Sequence, residues 1–137
     1  METNQHKPKI THIEQLEEPI NWTNVSFYEN LSEDFIREYH HRVDWDALLE
    51  GNKFSEDFLI EFQDRFDWFD ISCSQVLSED FMNQHKDELI WDFIAQNQKL
   101  SEEFIREFHN KLDWDDIAHY QTLSDDFRME FKEKLNN

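Results

Sequence analysis

Glycine, proline and cysteine are nearly missing from this chain: one glycine, two prolines and one cysteine in 137 residues. With a single glycine, no phosphate-cradling glycine loop can be built. Gly51 stands alone and Pro8 and Pro19 lie near the start, so helix caps must divide the elements. Cys73 has no partner for an internal disulfide and cannot form a cysteine zinc site, which fits a reducing setting. No apolar run approaches the ~20 residues that span a bilayer. The opening METNQHKPKI lacks the apolar core of a signal peptide, so the expected address is the cytoplasm. Positive charge is also scarce: 13 Lys and Arg stand against 32 Asp and Glu, a formal charge of −19. Such a balance excludes a nucleic-acid binder that works by neutralising phosphates and disfavours anionic membranes. It favours a basic protein partner, because opposite fields speed encounter.

What the chain does have is aromatic area, with 5 Trp, 13 Phe and 3 Tyr. Acidic disordered chains are poor in aromatics, so this one is read as folded with an acidic surface. The tryptophans fall at Trp22, Trp45, Trp68, Trp91 and Trp114, a 23-residue period. Ser32, Ser55, Ser78, Ser101 and Ser124 keep the same spacing, as do Phe35, Phe58, Phe81, Phe104 and Phe127. Three columns in one register define a tandem repeat.

Each unit reads as two short helices. In LSEDFIREYHHRVDWDALLEGNK, Ser32 is an N-cap able to accept from first-turn amides. Leu31 and Ile36 form a hydrophobic staple around it, and Phe35, Tyr39 and Val43 continue one buried stripe. Asp44 caps a second helix, with Val43 and Leu48 as its staple. The second staple recurs as Phe66 with Ile71, Leu89 with Ile94 and Leu112 with Ile117. The spacing predicts first helices of about 11–12 residues and second helices of about 7–8, too short to be stable alone. Stacked neighbours bury a shared core. The expected fold is therefore all-α: a short α-solenoid of stacked two-helix repeats with about ten or eleven helices.

Residues 1–10 read as a disordered N-terminus, and residues 11–137 as one repeat domain. Its units are a degenerate 11–30, then 31–53, 54–76, 77–99 and 100–122, and a capping half-repeat at 123–137. Thr11 and Glu14 are read as a capping box within the degenerate unit. Arg128 replaces the apolar staple residue of the other units (Ile36, Leu59, Met82, Ile105), as suits a polar terminal face. In the third unit His85 replaces the aromatic and Ile90 the capping aspartate, so local regularity is expected to fail there.

The units LSEDFIREYHHRVDW and LSEEFIREFHNKLDWDDIAHYQTLSDDF resemble short helical repeats of uncharacterised proteins from large DNA viruses and some phages. The resemblance covers residues 31–137 well and 11–30 weakly. It implies an α-helical repeat fold and a viral or mobile-element origin, and it carries no catalytic residues across.

Two sets of residues are candidate partner contacts. The first is a ladder of acidic pairs, Glu33/Asp34, Glu56/Asp57, Glu79/Asp80 and Glu102/Glu103, continued by Asp125/Asp126. First-turn carboxylates complement the helix dipole at roughly 0.3–1 kcal/mol each, which accounts for the pairs without a partner. Dipole complementarity does not demand a net −19, however, and a periodic row of carboxylates can imitate the phosphates of duplex DNA. The second set breaks the period with apolar residues: Ile60, Phe69, Ile90 and Phe93, all in the two middle units. Apolar residues at solvent-facing positions mark a contact surface, or else local repacking.

His40 and His109 share a column with Gln63, Lys86 and Lys132, which reads as a solvated face. No histidine spacing suits a metal site, and no acid pair, thiol or loop suggests catalysis. The tryptophans read as core between repeats. The expectation is a non-enzymatic acidic protein that binds a basic protein partner, without cofactor, metal, direct nucleic acid or membrane. Its specific form is a viral or phage inhibitor that mimics nucleic acid toward a host nucleic-acid-binding or defence complex. The alternative is a neutral scaffold or adaptor that binds through the apolar outliers.

Overall fold

A computed structural model describes residues 3–135. Residues 1–2 of the expected disordered terminus and 136–137 of the capping half-repeat lie outside the described residues. The chain divides into two compact units, Met1–Gln75 and Val76–Asn137. Both are helical, apart from one two-residue strand pair in the first.

Unit 1 contains β1 (Lys9–Ile10), α1 (Trp22–Tyr28), β2 (Asn30–Leu31), α2 (Glu33–Glu38), α3 (Trp45–Gly51), α4 (Glu56–Glu61) and α5 (Trp68–Ser74). Its second helices stack in order, α1 on α3 and α3 on α5. Unit 2 contains α6 (Glu79–Gln84), α7 (Ile94–Asn97), α8 (Glu102–Phe108), α9 (Trp114–Tyr120), α10 (Asp125–Glu130) and α11 (Lys132–Leu135). There α7 packs on α9 and α9 on α11.

Every first helix starts as its sequence implies. The hydroxyl oxygens of Ser32, Ser55, Ser78, Ser101 and Ser124 accept from the amides of Phe35, Phe58, Phe81, Phe104 and Phe127 at 3.0–3.2 Å. The staple residues are buried: Leu31 with Ile36, Phe54 with Leu59, Leu77 with Met82, Leu100 with Ile105. Arg128, in the corresponding place of the last repeat, is exposed.

The first helices end sooner than the periodicity suggests, after six or seven residues. In four of them the aromatic or histidine one turn after the phenylalanine leaves helical geometry, with φ near −110° and ψ near 27° at Tyr39, Phe62, His85 and Phe131. The chain then tightens into i→i+3 turns, such as Arg42 N–H to Tyr39 O at 2.8 Å. Second helices keep the expected seven residues where an acid or asparagine caps them. Asn21, Asp44, Asp67 and Asp113 accept from first-turn amides. Ile90 has no side-chain oxygen to offer, and its helix opens as a 3-10 turn over Trp91–Phe93 before becoming helical at Ile94. His85, by contrast, fits the aromatic stack, its ring 4.6 Å from Phe81.

The N-terminal region differs from expectation. Asn4–His6 forms a 3-10 turn and Lys9–Ile10 pairs in parallel with Asn30–Leu31. Carbonyls at the end of α1 accept from this segment, Phe27 O and Glu29 O from Asn4 and Tyr28 O from Lys7. The Thr11/Glu14 capping box is absent as well. Gln15 takes the role, its Oε1 accepting from the amides of Thr11 and His12 at 2.8 and 2.9 Å, and only a 3-10 turn at Ile13–Gln15 follows.

One stabilising column went unread in the sequence: Asn52, Gln75, Gln98 and Gln121, all buried and 23 residues apart. Gln121 Nε2 donates to the carbonyls of Ala95 and Gln98, both at 2.7 Å, and its Oε1 accepts from Leu100 N–H at 2.9 Å. Gln75 makes the same three bonds, to Leu49 O, Asn52 O and Phe54 N–H. These amides close helix ends that the backbone alone leaves unpaired. Gln121→Leu keeps volume but orphans three backbone groups. At roughly 1–3 kcal/mol per buried group left unpaired, it is expected to lower stability in urea unfolding by at least about 2 kcal/mol.

Candidate acidic partner surface

The acidic pairs do not form a uniform ladder. The first carboxylate of a pair reaches the serine cap of the following repeat and accepts from it twice. Glu33 takes Ser55 N–H at 2.7 Å and its hydroxyl at 2.8 Å. Glu79 takes Ser101 at 2.7 and 2.8 Å, and Glu102 takes Ser124 at 2.5 and 2.9 Å. Glu56 is half-buried like these three. The bonds to Ser124 hold the Glu102 carboxyl below its ordinary value, the backbone amide contributing most. These residues work as staples between repeats, and local reading of a helix N-terminus could not show a partner 22 residues away.

The second members, Asp34, Asp57, Asp80 and Glu103, are exposed, as is Asp126. Asp34 is bound by Arg37 Nη1 at 2.7 Å. That guanidinium also meets Glu61 at 2.9 Å and lies over the Phe58 ring. Arg106 repeats the arrangement, 3.0 Å from Glu130 and over Phe127. Other cations lie on indoles: Arg42 over Trp22, Arg65 over Trp45 and Lys111 over Trp91, at 5.5–5.9 Å. Much of the scarce positive charge is thus used inside each unit.

The tryptophans pack between repeats as expected but are half-buried rather than core. One indole face meets the next first helix, as with Trp45 against Phe62 at 4.9 Å and Trp114 against Phe131 at 5.0 Å. The other face stays accessible to the cation.

The apolar outliers differ in exposure. In unit 1, Phe69 on α5 is 45% exposed, while Ile60 on α4 is half-buried. In unit 2, Ile90 is 36% exposed and Phe93 half-buried, the two joined by the Phe93 N–H to Ile90 O bond of the irregular turn. Beside Phe69, burial pushes the Asp70 carboxyl up, with Asp67, Asp46 and Glu50 adding repulsion.

The histidine column is less solvated than its composition implies. His40 and His109 are half-buried, their rings 6.3 Å from Phe62 and 6.4 Å from Phe131. His40 Nδ1 is buried without a hydrogen-bond partner, and burial, then His41 and Arg65, lower its pKa. Burial, then the neighbouring Asp70, pushes the half-buried Cys73 thiol up. Among the described residues, no group of three or more His, Cys, Asp or Glu is placed to hold a metal ion. No described helix is long and apolar enough to cross a membrane.

No family model, no curated protein and no solved structure matches the chain.

The split within the pairs has a measurable consequence. Glu79→Ala removes both bonds to Ser101 and is expected to cost about 1 kcal/mol. Asp80→Ala should fall within about 0.5 kcal/mol of the unsubstituted chain. Because the Glu102 carboxyl is depressed in the fold, its stabilising contribution is complete above its unfolded value and lost as pH falls through its folded one. Glu102→Gln should therefore flatten the acid limb of a stability–pH curve, measured by urea unfolding.

Proposed function

We propose that this is a non-enzymatic repeat protein that binds a basic protein partner through its exposed carboxylates. Each unit follows the building rule of a short α-solenoid, like helix stacking on like helix 23 residues on. The observation that carries the reading is the division of labour within the acidic pairs. Glu33, Glu79 and Glu102 are committed to the next serine, while Asp34, Asp57, Asp80 and Glu103 recur at solvent. With cations drawn onto indoles and glutamates within the units, the surplus negative charge faces outward. In its specific form the row imitates nucleic-acid phosphates and inhibits a host nucleic-acid-binding or defence complex, in keeping with the viral or phage resemblance of the repeats.

A second reading is favoured by Phe69, exposed among Asp46, Asp67 and Asp70. It makes the protein an adaptor whose partner places an apolar residue there and whose charge serves solubility.

The readings separate on one captured partner. Mimicry predicts that affinity falls at least tenfold between about 50 and 200 mM salt, that duplex DNA or RNA competes, and that joint Asp34→Asn, Asp57→Asn, Asp80→Asn and Glu103→Gln substitution abolishes binding. The adaptor predicts salt-tolerant binding lost on Phe69→Asp and Phe93→Asp. Binding that is flat with salt and survives the four neutralisations rejects mimicry.

A further inference from the structure

Unit 1 carries an extended segment that docks on its own first repeat like a ligand. Asn4 and Ile10 are its two buried side chains, each 7% exposed. Asn4 Nδ2 donates to Phe27 O at 2.6 Å and Glu29 O at 3.3 Å. Lys9–Ile10 pairs with Asn30–Leu31, and Ser32 N–H donates to Ile10 O at 2.9 Å. Asn30 Nδ2 donates to Lys7 O at 2.8 Å, and the Lys7 ammonium donates to Tyr28 O.

The carbonyls this arm uses include one that the repeat elsewhere gives to a glutamine. Gln75 and Gln121 donate to the carbonyls 26 and 23 residues before them. Asn52 is one methylene shorter. It reaches Ser26 O, 26 residues back, at 3.1 Å and turns its other bond to Leu48 O. The carbonyl 23 residues back is Glu29 O, and Asn4 takes it. Asn52 Oδ1 is left buried without a partner, where Gln75, Gln98 and Gln121 accept from Phe54, Leu77 and Leu100. Glycine at 51 keeps the approach open, since a Cβ there would run into Phe27 O and meet Asn4 Nδ2 at 3.0 Å. Residues 51 and 52 thus make a gap in the amide column that the arm's asparagine fills. An open cleft of about 310 Å³ flanks it, lined by Thr3, Asn4, His6 and Lys7 of the arm and by Phe27 and Gly51.

We infer that this groove is a peptide-docking site, filled in cis by the arm and in trans by a lysine-bearing extended segment of a partner protein. The partner segment adds beside Asn30–Leu31, so that backbone bonds supply affinity and side-chain pockets specificity. It places an asparagine over Gly51 and an aliphatic residue six positions later. Charge complementarity selects this occupant: residues 3–13 of the arm hold His6, Lys7, Lys9 and His12 and no acid, in a chain of net charge −19. The inference does not depend on the acidic rows and is tested apart from them.

A fluorescent peptide of residues 3–12 is titrated against the full chain and against the full chain carrying Asn4→Ala and Ile10→Ser, which loosens the arm and leaves the groove intact. A receptor freed of its own competitor binds more tightly in proportion to the open fraction. The peptide should bind the variant at least about tenfold more tightly than the unsubstituted chain, and a peptide with Asn4→Ala should lose about tenfold. Equal binding to both chains, or none to the variant, overturns the inference. Hydrogen exchange on the unsubstituted chain gives a readout that no variant's folding affects. The Ser32 amide, bonded to Ile10 O, should exchange at least about tenfold faster than the Leu48 amide, bonded to Asp44 O. Equal protection makes the arm a fixed part of the fold and overturns the proposal, as does an arm-exchanged dimer that persists in excess peptide.

Discussion

A helix of six or seven residues is mostly ends. Its first four amides and last four carbonyls have no partner within it, and few groups are left between. This chain builds each unit from such helices and has one glycine with which to end any of them. The closing of helix ends from neighbouring repeats is therefore the constraint on which the fold depends. At the N-terminal ends a serine and the preceding repeat's glutamate do it together, as Ser101 with Glu79. At the C-terminal ends a buried amide does it, as Gln121 on Ala95 O and Gln98 O. Both devices bond at fixed sequence offsets, 22 residues for the glutamate and 21, 23 and 26 for the glutamine. The period is set by these polar bonds more tightly than by the core, whose staple position accepts Val43, Phe66, Leu89 and Leu112 alike.

What was legible in the sequence is what acts locally. Serine caps and staples act over three to five residues, and all five serines accept where their spacing says they should. Ile90 was readable for the same reason: without a side-chain oxygen, the first turn of its helix has nothing to organise it. The glutamine column was hidden because Asn52, Gln75, Gln98 and Gln121 are residue types common at surfaces, and their partners lie a full repeat away. Only the recurrence of an amide in four successive units would have pointed to burial. The early end of the first helices was hidden too, since the four-residue spacing from Phe35 to Tyr39 is satisfied whether or not the helix continues past Tyr39. The arm was illegible in its own residues, because its order derives from carbonyls at the end of α1 and from the absent side chain of Gly51.

Charge follows from the same architecture. The half-buried indoles leave one ring face open, and Arg42, Arg65 and Lys111 lie over it. The glutamate staples also add negative charge for a structural reason. A carboxylate presents two oxygens, so Glu79 can accept from the Ser101 amide and hydroxyl together, which a neutral amide with one oxygen cannot do as well.

The second acid of each pair has no such reason, and comparison within the chain shows what the helix dipole leaves unexplained. Dipole complementarity applies equally to the second helices, whose first turns begin after Asn21, Asp44, Asp67, Ile90 and Asp113. There the position two after the cap, which matches Asp34 in its own helix, holds Thr23, Asp46, Phe69, Asp92 and Asp115. An acid is missing there in two units out of five, so the dipole alone tolerates its loss. In the first helices the second acid never lapses, from Asp34 through Asp57, Asp80 and Glu103 to Asp126. Since a term worth roughly 0.3–1 kcal/mol does not enforce acidity in one set of helices, it is a weak reason for strict acidity in the other. Helix-dipole complementarity therefore leaves the uniform acidity of this exposed position on the first helices unaccounted for.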